Sequence, residues 1–347
     1  AMYNSFISTG EEANSSANVY VGNAAGGGDW TTAGSKGNVG IGAYSSDQNQ
    51  NGALYNTAVG FGSLGELVSG DWNVAIGAES GKAISSGTNN VAIGSWDDSG
   101  TTIKGALGSS AVGSYSIAIG TGALSTANED DNDGTVAIGH LACKVQAGTG
   151  GAQFASATVG IGYKALTALT TGAGNTAIGY EAGDAINTGA QNTILGHQAG
   201  SALSNDDNNT FIGFNSGLSN TGTKNVAVGN HTMKNGSGAG NNNTASGSSA
   251  LYALTTGSDN VAVGMQSGNT ITTGNYNTCI GSQSDTEVNS DSYQVKIGHY
   301  GIIKYKTARV TLSDSYTTPA EHDAAHSNSL FNIPSYSFIK KVWVKVI

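Results

Sequence analysis

Neighbouring carboxylates at Asp97-Asp98, Asp130-Asp131 and Asp206-Asp207 are the first residues here whose types could do chemistry. Two carboxyls facing each other across a groove hydrolyse glycosidic bonds, one as the acid and one as base or nucleophile. Sequence neighbours on a turn do not present that separation. No Ser/His/Asp arrangement stands out either, so the sequence makes no case for catalysis and a non-enzyme is expected. Glu129-x-Asp131-x-Asp133-Gly134 has the front of a calcium loop, but His140 stands at position twelve, where a bidentate Glu belongs. Such an oxygen-rich loop could hold calcium loosely, or be a solvated acidic loop. No other cofactor or metal is expected.

Other motifs compete with plainer readings. Gly60-Phe61-Gly62-Ser63-Leu64-Gly65 matches the dinucleotide fingerprint. That fingerprint needs a strand before it, a helix after it and an acidic residue about twenty positions on. No helical pattern follows, so the glycines are expected at turns. His322 and His326 have helical metal-ligand spacing but lie in a polar, loop-like stretch. Trp30, Trp72, Trp96, Tyr44 and Tyr115 could stack on sugars, or pack at the ends of the fold or between chains. Cys143 and Cys279 read as small buried hydrophobes.

The elements that must position these residues come from one repeat. Asn-Val-Ala-Ile-Gly stands at 73–77 and 90–94, Asn-Thr-Ala-Ile-Gly at 175–179, Asn-Val-Ala-Val-Gly at 225–229 and 260–264, and Asn-Thr-Cys-Ile-Gly at 277–281. Its closing glycine marks a series: Gly22, Gly42, Gly60, Gly77, Gly94, Gly120, Gly139, Gly162, Gly179, Gly196, Gly213, Gly229, Gly247, Gly264, Gly281 and Gly298. The commonest step is 17 residues, as from Gly162 through Gly179 and Gly196 to Gly213. A short fixed period is the signature of a solenoid. The residues three before and one before the marker are β-branched, with a small residue between them, which predicts a short strand with different faces. Asn four before the marker predicts a side-chain amide ladder between coils. The marker glycine and another ten later are expected at tight corners. Each coil is therefore expected to run strand, turn, strand, turn. Sixteen coils stacked in parallel, about 4.8 Å apart, would make a column of about 75 Å. That spacing puts the two cysteines beyond disulfide reach.

One coil offers only a thin core, so stacked neighbours are required and lateral association of several chains is expected. His140, His197 and His299 each follow a marker glycine. They are not on adjacent coils, so no histidine ladder is expected within a chain. Around a three-fold axis, one His per chain could form a metal site, or these could be ordinary packed or surface residues.

The Asn-before-Val-Ala-Ile-Gly repeat resembles the head repeat of trimeric autotransporter adhesins. The longer variant Ala165–Gly172 leading into Asn175–Gly179 is still more similar to bacteriophage tail-fibre proteins. The resemblance covers roughly residues 18–298. It implies a left-handed parallel β-roll, three rolls packed about one axis, and a rigid stalk or head. It also implies other tail proteins and a host cell-surface glycan or protein as partners, with a place in the virion tail. A bacterial cell-surface adhesin head and a glycan-degrading tailspike are the alternatives.

Composition agrees with an all-β rod. The chain has 53 glycines, 2 prolines and 11% charged residues in 347, which is not the profile of disorder. Residues 1–298 hold 8 Lys against 21 Asp and Glu, a balance of −13, while 299–347 hold six basic and three acidic residues, a balance of +3. An acidic rod repels phosphates, which argues against nucleic acid. No run is long and apolar enough for membrane insertion, and no secretory signal is visible. The expected layout is a lead-in at 1–17, the β-roll at 18–298, and at 299–347 the start of a β-sandwich-like domain that continues further. Insertions lengthen the coils around 95–157, and solenoid loops are where binding sits. Trp96, Asp97, Asp98, Asp131 and Asp133 are therefore the candidate binding residues.

Overall fold

The computed structural model describes residues 5–7, 17–27, 34–96, 104–109, 113–126, 133–145, 156–236, 238, 240–299 and 303–305. Backbone contacts divide the chain into Ala1–Lys306 and Thr307–Ile347, and the described residues all belong to the first unit. That unit is a β-solenoid. Sixteen three-residue strands, from Val19–Val21 to Val295–Ile297, pair in chain order, every pair parallel. Short antiparallel strands close both ends: Ser5–Ile7 on Val19–Val21, and Ile303–Tyr305 on Val295–Ile297. Each covers an edge that would otherwise present unpaired backbone groups.

The alternation predicted for the strand holds. In Val74–Ile76, Ala75 is buried and its two β-branched neighbours face outward. A thin interior forces the inward side chain to be small. Where it is large, a glycine in the same or the next coil gives way. Phe211 is fully buried, and a Cβ on Gly217 would lie 2.8 Å from its Cγ. Tyr20 is buried against Gly40, where a Cβ would stand 2.6 Å from the ring. Leu166, Leu169, Leu203 and Leu254 complete the core from the turns.

The second strand expected in each coil is not formed among the described residues; turns and bends occupy that arc. The backbone explains why. Besides the marker glycine, each regular coil turns left-handed at ordinary residues: Lys164 (φ 56°), Leu166 (φ 52°) and Gln191 (φ 59°) sit two after, four after and five before their markers. Alternating hands fold the arc tightly and prevent an extended run.

The two glycine columns have different causes. Marker glycines have φ between +101° and +153°, and a Cβ on Gly264 would lie 2.6 Å from the carbonyl carbon of Gly281 in the next coil. Gly257, ten residues after a marker, lacks a positive φ. It is needed for space, because a Cβ there would run into the carbonyl of Gly274 and stand 2.8 Å from Leu254 Cδ1.

The amide ladder is present and buried. Asn192 donates from its backbone N–H and Nδ2 to Asn175 Oδ1 at 2.9 and 3.1 Å, and from Nδ2 to the Asp206 carbonyl at 2.8 Å. Its own Oδ1 accepts the same pair of bonds from Asn209. Ser116, Thr135 and Thr158 interrupt the ladder, and the buried hydroxyls of Thr135 and Thr158 have no hydrogen-bond partner among the described residues. Removing an Asn orphans its buried partners, whereas removing an unpaired hydroxyl orphans nothing. Asn192→Ala is therefore expected to cost about 2–4 kcal/mol, and Thr158→Val to leave the urea unfolding midpoint unchanged or raised. Equal losses in the two variants would contradict this.

Candidate functional site

Of the five candidate binding residues, Asp97, Asp98 and Asp131 lie outside the described residues. Trp96 stands two residues after the marker Gly94; its backbone N–H donates to the Ala78 carbonyl at 3.0 Å, and the residue is 41% exposed. Asp133 is engaged by the fold. Its Oδ1 accepts the backbone N–H of Ser114 at 2.6 Å.

That bond belongs to a second inter-coil series. Six residues before the marker, a short polar side chain caps the equivalent N–H of the preceding coil. Asp71 caps Leu54 at 2.8 Å, Asp207 caps Ala190 at 2.7 Å and Asn275 caps Ser258 at 2.8 Å. The position alternates among Asp, Asn and Ser, so the motif is hidden in sequence, but the chemistry is constant: one short acceptor. The paired carboxylates Asp206-Asp207 are turned to the backbone in the same way, since Asp206 Oδ2 accepts from Ser204 N–H at 3.3 Å.

The histidines do not form a ladder of their own, but a mixed ladder crosses them. In the column following the marker glycine, His140 stacks on Tyr163 at 5.7 Å, Tyr163 on Tyr180 at 5.1 Å, and Tyr180 on His197 at 4.9 Å. His197 continues to Phe214, and Phe214 to His231, each at 5.3 Å. Tyr163 and Tyr180 fill the coils between the first two histidines, a substitution of ring for ring that a search for histidines alone passes over. Stacking of this kind adds about 0.5–1.5 kcal/mol per pair to area burial. Further stacks join Tyr55 to Trp72 and Tyr276 to Tyr293. Tyr115 is 65% exposed. Trp30, His322 and His326 lie outside the described residues.

The remaining motifs are structural. Gly60 and Gly62 have positive φ at a coil corner after the strand Thr57–Val59, with no helix following. Cys143 and Cys279 are buried free thiols, each pushed up to about 12 by burial. No group of three His, Cys, Asp or Glu side chains able to hold a metal occurs among the described residues. No helix there is long and apolar enough to cross a membrane.

The outer face of the strands is apolar. Two β-branched rows run along it, with Ile76, Val263 and Ile280 each about 40% exposed. The fold and its surfaces thus define the class of a parallel β-solenoid. No family model matches the chain, and no curated protein or solved structure does.

Two tests follow. Asp133→Asn keeps an acceptor for Ser114 and is expected to retain stability, whereas Asp133→Ala loses about 1 kcal/mol in urea unfolding. A calcium-dependent rise in the parent midpoint that Asp133→Asn lacks would assign the carboxylate to metal instead. Burial, before any neighbouring charge, raises the carboxyls of Asp47, Asp184 and Asp206. A raised folded pKa gives stability that is present below the unfolded value, about 4 for Asp, and is lost as pH rises through the folded value. Acidifying from pH 7 to about 4.5 should therefore raise the thermal midpoint; a steady fall would show that other carboxylates dominate.

Proposed function

We infer that this chain is a structural fibre of a phage tail, built as three parallel solenoids side by side, that carries host-receptor recognition to a cell surface. The outer strand face is the single observation that carries this. A fold whose inward column is mostly alanine leaves its larger β-branched residues outside, where water does not favour them. Copies of the same chain can cover two such rows along their whole length. The three-fold arrangement is what the resemblance to adhesin heads and tail fibres implies. Mechanically, stacked backbone hydrogen bonds and two side-chain ladders give stiffness, and stiffness gives reach. Other tail proteins are the partners at one end, and a host glycan or protein at the other. The proposed role is attachment without catalysis.

Native mass by light scattering, with imaging of the particle, tests the assembly. The expected result is three times the chain mass in one rod. Ile76→Glu combined with Ile280→Glu should reduce the mass to that of a single chain while leaving the β circular-dichroism signal intact. A single-chain mass in the parent would overturn the assembly. Labelling of virions by antibody to this chain supports the tail; labelling of a bacterial surface instead would support an adhesin head.

A further inference from the structure

We propose that a notch beside Phe61 binds a sugar ring that carries a free amine. The notch arises from a gap in a ladder. In the column after the marker glycine, rings cover one another from His140 to Phe214. At Phe61 the coils on either side supply Ala43 and Ala78 instead. Phe61 is 52% exposed, and Tyr44 meets it edge-on at 5.6 Å and 74°. A cavity of about 250 Å³ opens there, with Gly62 and Gly65 among its lining.

The charged lining is lopsided. Asp47, Glu66 and Glu79 bring three carboxylates and Lys82 one ammonium. Lys82 is held by Glu79 at 2.7 Å. Neither Asp47 nor Glu66 has a cation within ion-pair distance among the described residues. Burial holds the Asp47 carboxyl above its usual range, its own backbone N–H and then Lys82 lower it, and Glu66 raises it. A cation entering the notch would offset the repulsion that Glu66 exerts on Asp47. These three do not form a cluster that could hold a metal ion, and carboxylates set apart around a notch suit a larger group with donors at several points. Aromatic faces attract both C–H surfaces and ammonium groups. Carboxylates accept charge-assisted bonds from ammonium and bonds from hydroxyls. The volume is below that of pockets for drug-sized ligands, which suits one ring. An amino sugar has that shape: a C–H face for Phe61, an ammonium for the acidic side, and hydroxyls for Gln48 and the second carboxylate. A lysine side chain presents its donors at one point and leaves the others unused.

This inference does not rest on the fibre reading. The test is a ligand-observed NMR titration of the native assembled protein with glucosamine, with glucose and an N-acetyl-lysine amide as controls. Saturable glucosamine binding is expected, at least about tenfold tighter than glucose, equivalent to about 1.4 kcal/mol. Raised salt should weaken it. Glu66→Gln should cost about tenfold and Phe61→Ala should abolish it; both side chains are at the surface, and unchanged unfolding midpoints would confirm intact folds. Three results would each overturn the proposal: no saturable binding, equal binding of the lysine amide, or binding unaffected by both substitutions.

Discussion

The distance between coils is the constraint from which the rest of this structure follows. Neighbouring backbones approach so closely at two columns that a single Cβ would collide with the next coil, at Gly264 against Gly281 and at Gly257 against Gly274. Strand pairing needs a spacing of about 4.8 Å. At the marker corner only glycine permits this while the chain also closes its turn; the second column is less strict, since Asp206 and Asp291 stand ten residues after Gly196 and Gly281. The columns thus act as spacers, and every inter-coil bond, backbone or side chain, assumes them. Sequence variation elsewhere is wide because this fixed distance makes any acceptor at the right place equivalent.

Local preference alone would not produce this coil. Leu166, Leu251 and Met233 hold left-handed conformations while fully buried. Each such residue costs about 1–2 kcal/mol relative to its preferred region. Their side chains fill the core from the turn, so packing must offset the backbone cost. The offset requires neighbouring coils, since these side chains pack in one core continuous from coil to coil. Stability therefore grows with stacking and is weak at the ends. The antiparallel strands Ser5–Ile7 and Ile303–Tyr305 sit where that weakness would be greatest.

Much of this was legible in the sequence, and the limits have physical causes. The strand, its faces and the Asn ladder were readable because each needs one residue type at one position. Positions defined by a shared property stayed hidden. The cap six residues before the marker accepts Asp, Asn or Ser, so Asp133 read as part of a calcium loop when its described bond is to Ser114 N–H. The ring ladder mixes Tyr, His and Phe, so His140 and His197 looked isolated. The second strand was over-read because the arc contains regularly placed aliphatic residues; these mark burial, and the left-handed φ values at Lys164 and Leu166 rule out extension there. The outward face was correct in pattern, because the β-branched residues flank a small inward one, as in Val74–Ile76 and Thr176–Ile178. Asp97, Asp98 and Asp131 lie outside the described residues, so nothing described bears on them.

The interruption of the amide ladder shows how such a series tolerates change. Ser116, Thr135 and Thr158 occupy three consecutive coils, while the Asn positions on either side run unbroken from Asn18 to Asn90 and from Asn175 to Asn277. Scattered replacements would be costlier than clustered ones. An Asn inside the regular run uses its Oδ1 for the amide of the next coil and its Nδ2 for the Oδ1 of the previous one, as Asn73 does with Asn90 and Asn56. A lone Asn between two hydroxyl residues would lose both amide partners and keep only bonds to backbone groups, of the kind Asn175 Nδ2 makes to the Gly172 and Gly189 carbonyls. Once one rung is lost, replacing its neighbour removes less than breaking an intact pair elsewhere. Defects placed together therefore break the fewest amide pairs. They lie where the sequence also lengthens its coils, from Gly94 to Gly120 and from Gly139 to Gly162. Insertions and ladder loss thus share one segment of the solenoid, and the uninterrupted coils on either side keep both ladders in register.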